Sequence, residues 1–184
     1  MQIAVFVDFQ GTIGGEGTDG IQSLTLYPFT AQAIHRLNAA ELLVIGVTNQ
    51  SHIAKGSLTW EEYRSALQRI ESELRRHDAH FDAVYCCPHA REEQCACKKP
   101  LPGMVHQAYR DFEIDLCRSY VIGDMGGNDM VLAKNIGAKG ILVLTGAGRG
   151  SLTEYRRSWQ DCEAHYIAEN IAEAVDVILA EAAQ

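Results

Sequence analysis

Four groups of chemically capable residues are spread along this chain of 184 residues: Asp8 with Gln10 and Thr12; Thr48, Asn49, Gln50 and Ser51; Lys99; and Asp124 with Asn128 and Asp129. Each group follows a short apolar run, and together they supply carboxylates, amides, hydroxyls and an ammonium. One Asp at the end of a strand is as readily a turn or cap residue. Four such endings point to one shared crevice. Clustered carboxylates repel one another, so the set calls for a hard cation such as Mg2+, held by one or two carboxylates with water and a substrate phosphate. Thr48 and Lys99 then hold that phosphate.

A second constellation lies just before Lys99. Cys87-x-His89 and Cys95-x-Cys97, with five residues between the pairs, offer three thiolates and one imidazole, the composition of a closed structural zinc site. Cys86 competes with Cys87, but Cys87 pairs with His89 across one residue as Cys95 pairs with Cys97, and Cys86 still reads as strand. Cys117 and Cys162 fit no ligand spacing and read as small buried hydrophobes. A metal here stiffens the approach to Lys99 without taking part in the reaction.

The elements that must position these residues are legible as a rhythm. Apolar runs at Ile3–Val7, Leu42–Val47, Ala83–Cys86, Tyr120–Ile122 and Gly140–Leu144 alternate with helical patterning, as in parallel βα units. Ala33, Ile34 and Leu37 form one helical face after a Thr30 cap; Trp60, Tyr63, Leu67, Ile70 and Leu74 form another after Thr59, and all five read as core. Met130, Ala133 and Ile136 make a short helix ended by Gly137, and Ile171, Ala174, Val175 and Ile178 line a last helix capped by Asn170. In an open parallel sheet, ligands bind beyond the carboxyl ends of the strands, where all four groups fall.

Composition sets the outer bounds. The length suits one domain over residues 1–184, and 47% apolar with 22% charged residues is ordinary for a globular chain. A net charge of −8 opposes binding to nucleic acid or anionic membrane. The opening apolar run stops at Asp8, too short for a signal peptide or a membrane span, which places the protein in the cytoplasm. Cysteines are then thiols or metal ligands rather than disulfides. A monomer is favoured.

Val7-Asp8-Phe9-Gln10-Gly11-Thr12, Val47-Thr48-Asn49-Gln50-Ser51, Lys99-Pro100 and Gly123-Asp124 through Asn128-Asp129 resemble the four ordered motifs of the haloacid dehalogenase superfamily. The run Thr48 to Gly56, Cys87-Pro88-His89 and Cys95 to Pro100 is similar to the D-glycero-D-manno-heptose 1,7-bisphosphate phosphatases, and in part to the histidinol-phosphate phosphatases. The resemblance spans roughly residues 3 to 148. It implies an α/β fold: a three-layer Rossmann-like sandwich with a central parallel sheet, capless, with a zinc-binding loop. It further implies Asp8 as the nucleophile of an aspartyl-phosphate, Mg2+ held by the Asp8 carboxylate, the Gln10 backbone carbonyl and Asp124, and Asp129 as a direct or water-mediated ligand. Thr48 and Lys99 take the transferring phosphoryl oxygens, while Asn49, Gln50, Ser51, Lys55 and Lys98 bind a small phosphorylated sugar.

The chain departs from the family pattern at one chemically decisive position. The residue two after the nucleophile is normally an aspartic acid that protonates the leaving oxygen; here it is Gln10, whose amide donates a hydrogen bond but no proton. His52 stands where the family often has glycine, Lys98 where it has arginine, and Met125 where it has a basic residue. Lys55, Lys98 and Arg149 are candidates for a second anionic group, and Gly14–Gly20 with the Cys87–Cys97 loop are the expected walls of an open crevice. His35, His77, His80, His106 and His165 receive no role. Two functions are consistent with this sequence: a Mg2+-dependent sugar phosphatase slowed by Gln10, or a phosphosugar-binding or regulatory protein without turnover. A polynucleotide phosphatase is disfavoured by charge.

Overall fold

The computed structural model describes residues 1–15 and 20–182. Six parallel strands, β1 (Ala4–Val7), β2 (Leu43–Asn49), β3 (Ala83–Cys87), β4 (Tyr120–Gly123), β5 (Lys139–Val143) and β6 (Tyr166–Ala168), form one sheet in the order β3-β2-β1-β4-β5-β6. The chain thus starts in the middle and switches direction between β1 and β4. A crevice opens at such a point, outside the carboxyl ends of the strands.

Because successive strand side chains alternate between faces, each strand feeds two apolar layers. Val5, Val7, Val44, Ile122 and Ile141 pack against α1 (Thr30–Ala39), α2 (Trp60–Arg75) and α6 (Ile171–Ala182). Ala4, Phe6, Ile45, Val47 and Val121 pack against α3 (Gly103–Asp111) and α4 (Val131–Ile136), and a short helix, α5 (Gly148–Leu152), follows β5. The result is the three-layer sandwich. Between β1 and β2 the described residues contain turns, two isolated bridges and α1, and between β3 and Lys99 only a loop with one short turn at Arg91–Glu93.

Several local details differ from the sequence reading. Thr30 is the first helical residue of α1 and not its cap: its hydroxyl donates 2.7 Å to the carbonyl of Ile13, and Phe29 precedes it without a side-chain cap. Thr59 does cap α2, in a reciprocal box with Glu62. Asn170 accepts from the backbone N–H groups of Ala172 and Glu173, as a cap must. Trp60, read as core, is exposed at the first turn of α2, edge-on to Tyr63 and beneath Arg64. Cys117 is exposed in a short turn, whereas Cys162 is buried with its thiol on the carbonyl of Met130. The structure adds a sixth strand that the sequence pattern does not mark: β6 is three residues long, and Tyr166 and Ile167 are exposed at the sheet edge.

Candidate active site

Asp8 is the first residue past β1, and its N–H donates 3.0 Å to the carbonyl of Ile122 on β4, which fixes it at the switch point. Thr48 and Asn49 end β2, and Asp124 follows β4 directly. Lys99 comes from the loop after β3. Its backbone is clamped by the Asn49 side chain, which accepts from the Lys99 N–H at 3.0 Å and donates to its carbonyl at 3.2 Å.

The clamp delivers the ammonium between two carboxylates. Lys99 Nζ donates to Asp8 Oδ1 at 2.6 Å and to Asp129 Oδ1 at 2.7 Å, with the lysine itself only 3% exposed. Burial alone would lower its pKa, but the charges of Asp129 and Asp8 outweigh that and raise it, so Lys99 is a fixed cation. The second oxygen of Asp129 accepts the N–H of Met125, and Asp124 Oδ2 accepts the N–H of Ala147 at 2.7 Å. Space for Asp124 comes from glycines: a Cβ on Gly11 or Gly146 would lie 2.1 or 2.3 Å from its Oδ2, and both have positive φ. That is a close approach only glycine permits.

Carboxylate oxygens of Asp8, Asp124 and Asp129 lie within 4.8 Å of one another, all buried. One ammonium does not balance three such charges. Burial, then the charges of Asp8 and Asp129, push the Asp124 carboxyl up to about 8; burial pushes Asp129 up to about 6 against the pull of Lys99. An oxygen-rich pocket with excess negative charge is the setting a hard divalent cation relieves, so these residues fit Mg2+.

Gln10 sits beside this centre. Its Oε1 accepts from Gln50 Nε2 at 3.2 Å and, more loosely, from Thr48 Oγ1 at 3.4 Å, while Gln50 Nε2 also donates to Thr48 Oγ1 at 2.9 Å. Gln50 is 1% exposed, and its own Oε1 has no hydrogen-bond partner among the described residues. Ser51 Oγ contacts Lys98 Nζ, which also donates to the carbonyl of His89. Asn49 and Gln50 therefore hold other residues of the site, a role sequence reasoning missed. Motif position shows which strand end a residue occupies but not which neighbour its amide meets. Ala147 was also unassigned, although the glycine-rich stretch at Gly146–Gly150 marked its surroundings.

The crevice, about 390 Å³, is lined by Asp8, Gln10, Asn49, Gln50, Ser51, His52, Lys98, Lys99, Asp124, Met125, Asn128 and Asp129. An adjoining hollow of about 500 Å³ shares Lys98, Lys99, Met125 and Asn128 and extends to Arg91 and Gln94 on the cysteine loop. Each is of a size that suits a small ligand. Lys55 is exposed and outside both linings, and Arg149 is paired 2.9 Å from Glu169. Of the expected wall Gly14–Gly20, residues 16–19 lie outside the described residues. A larger open hollow at Thr59, Glu62 and Arg69 is away from the carboxylates. Its Arg69 is spent on the carbonyls of Ile21, Gln22 and Leu24.

The cysteine loop closes on itself. Cys87 Sγ lies 3.6 Å from both His89 Nδ1 and Cys95 Sγ, Cys97 Sγ lies 3.2 Å from His89 Nδ1, and Cys95 and Cys97 are 3.5 Å apart. Tetrahedral Zn–S bonds of ~2.3 Å put sulfur atoms ~3.8 Å apart, so the set fits zinc with little adjustment. Burial holds the Cys87 thiol up at about 12. At Cys95 burial acts the same way, but hydrogen bonds from the backbone of Lys98 and Cys97 and from the neighbouring thiols bring it down to about 7. Cys86 points to the opposite sheet face, toward Tyr63, as alternation along β3 requires.

A parallel sheet with an Asp after its central strand, a second acidic site across the switch point and a lysine between them defines a haloacid dehalogenase-like hydrolase. A HAD-hydrolase-like family model matches residues 96–174. The D-glycero-beta-D-manno-heptose-1,7-bisphosphate 7-phosphatase of Yersinia pestis is 34% identical over 153 residues, covering 78% of this chain and 81% of that one. Its counterpart from Pasteurella multocida is 30% identical over 187 residues, with 97% of each chain covered. The crystal structure of D,D-heptose 1,7-bisphosphate phosphatase from B. bronchiseptica, complexed with magnesium and phosphate, superposes with a TM-score of 0.88 at 28% identity, covering 98% of this chain and 99% of that one. The chain belongs to the D-glycero-D-manno-heptose 1,7-bisphosphate phosphatase family of these hydrolases.

Proposed function

We propose that the chain is a Mg2+-dependent phosphatase of small sugar phosphates, heptose bisphosphates among them, whose turnover is reduced by Gln10. The observation that carries this reading is the placement of Lys99 Nζ between Asp8 and Asp129 in a crevice that Asp124 also lines. Asp8 attacks the phosphorus, and the sugar oxygen leaves. Lys99 and Thr48 hold the phosphoryl oxygens as negative charge spreads over them. Asp8, Asp124 and the Gln10 carbonyl would hold Mg2+, with Asp129 a direct or water-mediated ligand that also fixes Lys99; the bound ion would neutralise charge on the phosphoryl oxygens. Cys87, His89, Cys95 and Cys97 would hold a structural zinc. We take residues 1–184 as one monomeric domain, and free cysteines accord with a cytoplasmic setting.

Gln10 favours a second reading, a phosphosugar-binding or regulatory protein without turnover, because an amide at this position supports binding but not proton transfer. Phosphate release from a sugar-phosphate panel, measured with the parent and with Gln10→Asp, decides. Turnover in either one supports the phosphatase; binding by both without turnover in any case favours the second reading.

A further inference from the structure

Among the described residues, six titratable side chains line the crevice, and none is set to supply a proton in place of Gln10. Lys99 is held as a cation between Asp8 and Asp129. Lys98 is engaged by Ser51 and the carbonyl of His89. In the proposed reaction Asp8 is the nucleophile and Asp124 would be taken up as a ligand of Mg2+, while Asp129 is paired with Lys99 and accepts the N–H of Met125. His52 is exposed, with Nδ1 at 3.0 Å from Ser57 Oγ on its own turn. At the acid's position, the Gln10 oxygen already accepts from Gln50 and Thr48. What the amide offers a leaving oxygen is an N–H hydrogen bond, not a proton.

We infer that this chain is a phosphoryl acceptor selective for leaving groups that depart unprotonated, and that its aspartyl-phosphate persists after they leave. The inference rests on the reading of Asp8 as nucleophile. In the first step an Asp8 oxygen forms a bond to phosphorus, and the bond from phosphorus to the leaving oxygen breaks. The leaving group departs with the electron pair. A carboxylate, a phosphate or an aryl oxide is stable as that anion, whereas a sugar alkoxide must be protonated as it goes. In the second step water attacks the same phosphorus, the bond to Asp8 breaks, and the carboxylate recovers its electron pair. The water proton passes to bulk solvent, because no base among the described residues is positioned to take it, so this step is slow. Acyl phosphates, phosphoanhydrides and aryl phosphates are therefore the donor class, and alkyl phosphates are poor donors.

The test uses the full chain with Mg2+, acetyl phosphate, a series of aryl phosphates of graded leaving-group acidity, and an alkyl sugar phosphate. The parent should release a burst of one aryl oxide per chain, gain the mass of one phosphoryl group in a hydroxylamine-sensitive form, and then turn over slowly. Its rates should rise steeply with leaving-group acidity. Gln10→Asp should abolish the burst and narrow the aryl-to-alkyl rate ratio by on the order of 10²-fold. The slope in the parent alone carries the test should Gln10→Asp fail to fold. Equal parent rates for aryl and alkyl esters, or steady turnover without a burst, overturn the inference while leaving the phosphatase reading intact. A burst that survives in Asp8→Asn overturns the assignment of the nucleophile itself. If His52→Gln alone removes the parent's turnover of alkyl phosphates, His52 is the acid and the inference fails.

Discussion

The Asn49 side chain grips both sides of the Lys99 backbone, accepting from its N–H and donating to its carbonyl. The end of β2 thereby sets the position of a lysine that arrives twelve residues beyond the end of β3. Asn49→Ala removes both bonds while leaving the charged groups in place. Since misplacing a catalytic group by ~1 Å can cost ~10²-fold, kcat/KM for the best substrate should fall by on the order of 10- to 100-fold. Asn49→Asp keeps the acceptor and loses the donor, and should fall in between. Steady-state kinetics of the two variants checks this order.

The thiol and imidazole spacings predict about one zinc per chain, held by Cys87, His89, Cys95 and Cys97. Cys97 lies two residues before Lys99, and the carbonyl of His89 holds Lys98, so the metal stiffens one wall of the crevice. Cys95→Ser should lose the metal; a loss of roughly 3 kcal/mol would lower the Tm by about 6–12 °C for a chain of this size. Cys86→Ser should keep it, since that side chain lies on the other sheet face. Elemental analysis of purified protein checks both. Less than half an equivalent of zinc in the parent, or unchanged zinc in Cys95→Ser, overturns the site.

At the opposite end of the sheet, Glu181 of α6 ties three neighbours together. It accepts from Tyr120 at 2.9 Å and Lys139 at 2.6 Å, and pairs with His165 at 2.7 Å. Burial acts to raise its pKa, but the hydrogen bonds from Lys139, His165 and Tyr120 outweigh burial and hold it down at about 2 against an ordinary 4.5. A folded pKa below the unfolded one means that the unfolded chain binds the proton more readily. The clasp therefore stabilises the fold fully above about pH 4.5 and is lost as pH falls toward 2. Glu181→Gln should cost about 1 kcal/mol at pH 7, and the difference from the parent should vanish at the acid end. Denaturant melts across pH check the convergence.

The apolar runs and the groups at their ends were enough to read five of the strands, because buried parallel strands are continuous and their endings carry the chemistry. The spacing to His89 singles out Cys87 over Cys86, and the structure turns Cys86 to the other sheet face, toward Tyr63. β6 was not legible, because a strand of three residues with two of them exposed carries no periodicity. Trp60 fits the α2 stripe but falls on the exposed first turn, and Thr30 fits a cap but bonds Ile13 instead. Within the site, residue types showed which groups gather. They did not show that Asn49 and Gln50 would also hold Lys99 and Gln10, because amides on one turn have several neighbours of equal chemical appeal.

Gln50 anchors Gln10. Its Nε2 donates to the Gln10 oxygen and to Thr48 Oγ1, while its own Oε1 is buried without a partner among the described residues. A lost hydrogen bond costs ~1 kcal/mol and an orphaned buried acceptor ~1–3 kcal/mol. Gln50→Leu removes two bonds and one orphan of similar total size, so the Tm should move by little. Function should respond differently. Without the Gln50 donor, the residue at position 10 loses its closer anchor, and the effect should be larger where that residue transfers a proton. In a Gln10→Asp background, where the Gln50 and Thr48 donors can hold a carboxylate oxygen, adding Gln50→Leu should lower kcat by on the order of 10-fold or more, with KM changed little. In the parent, where no proton is transferred from Gln10, the same substitution should lower kcat by less. Equal losses in both backgrounds would show that Gln50 acts through Thr48 alone.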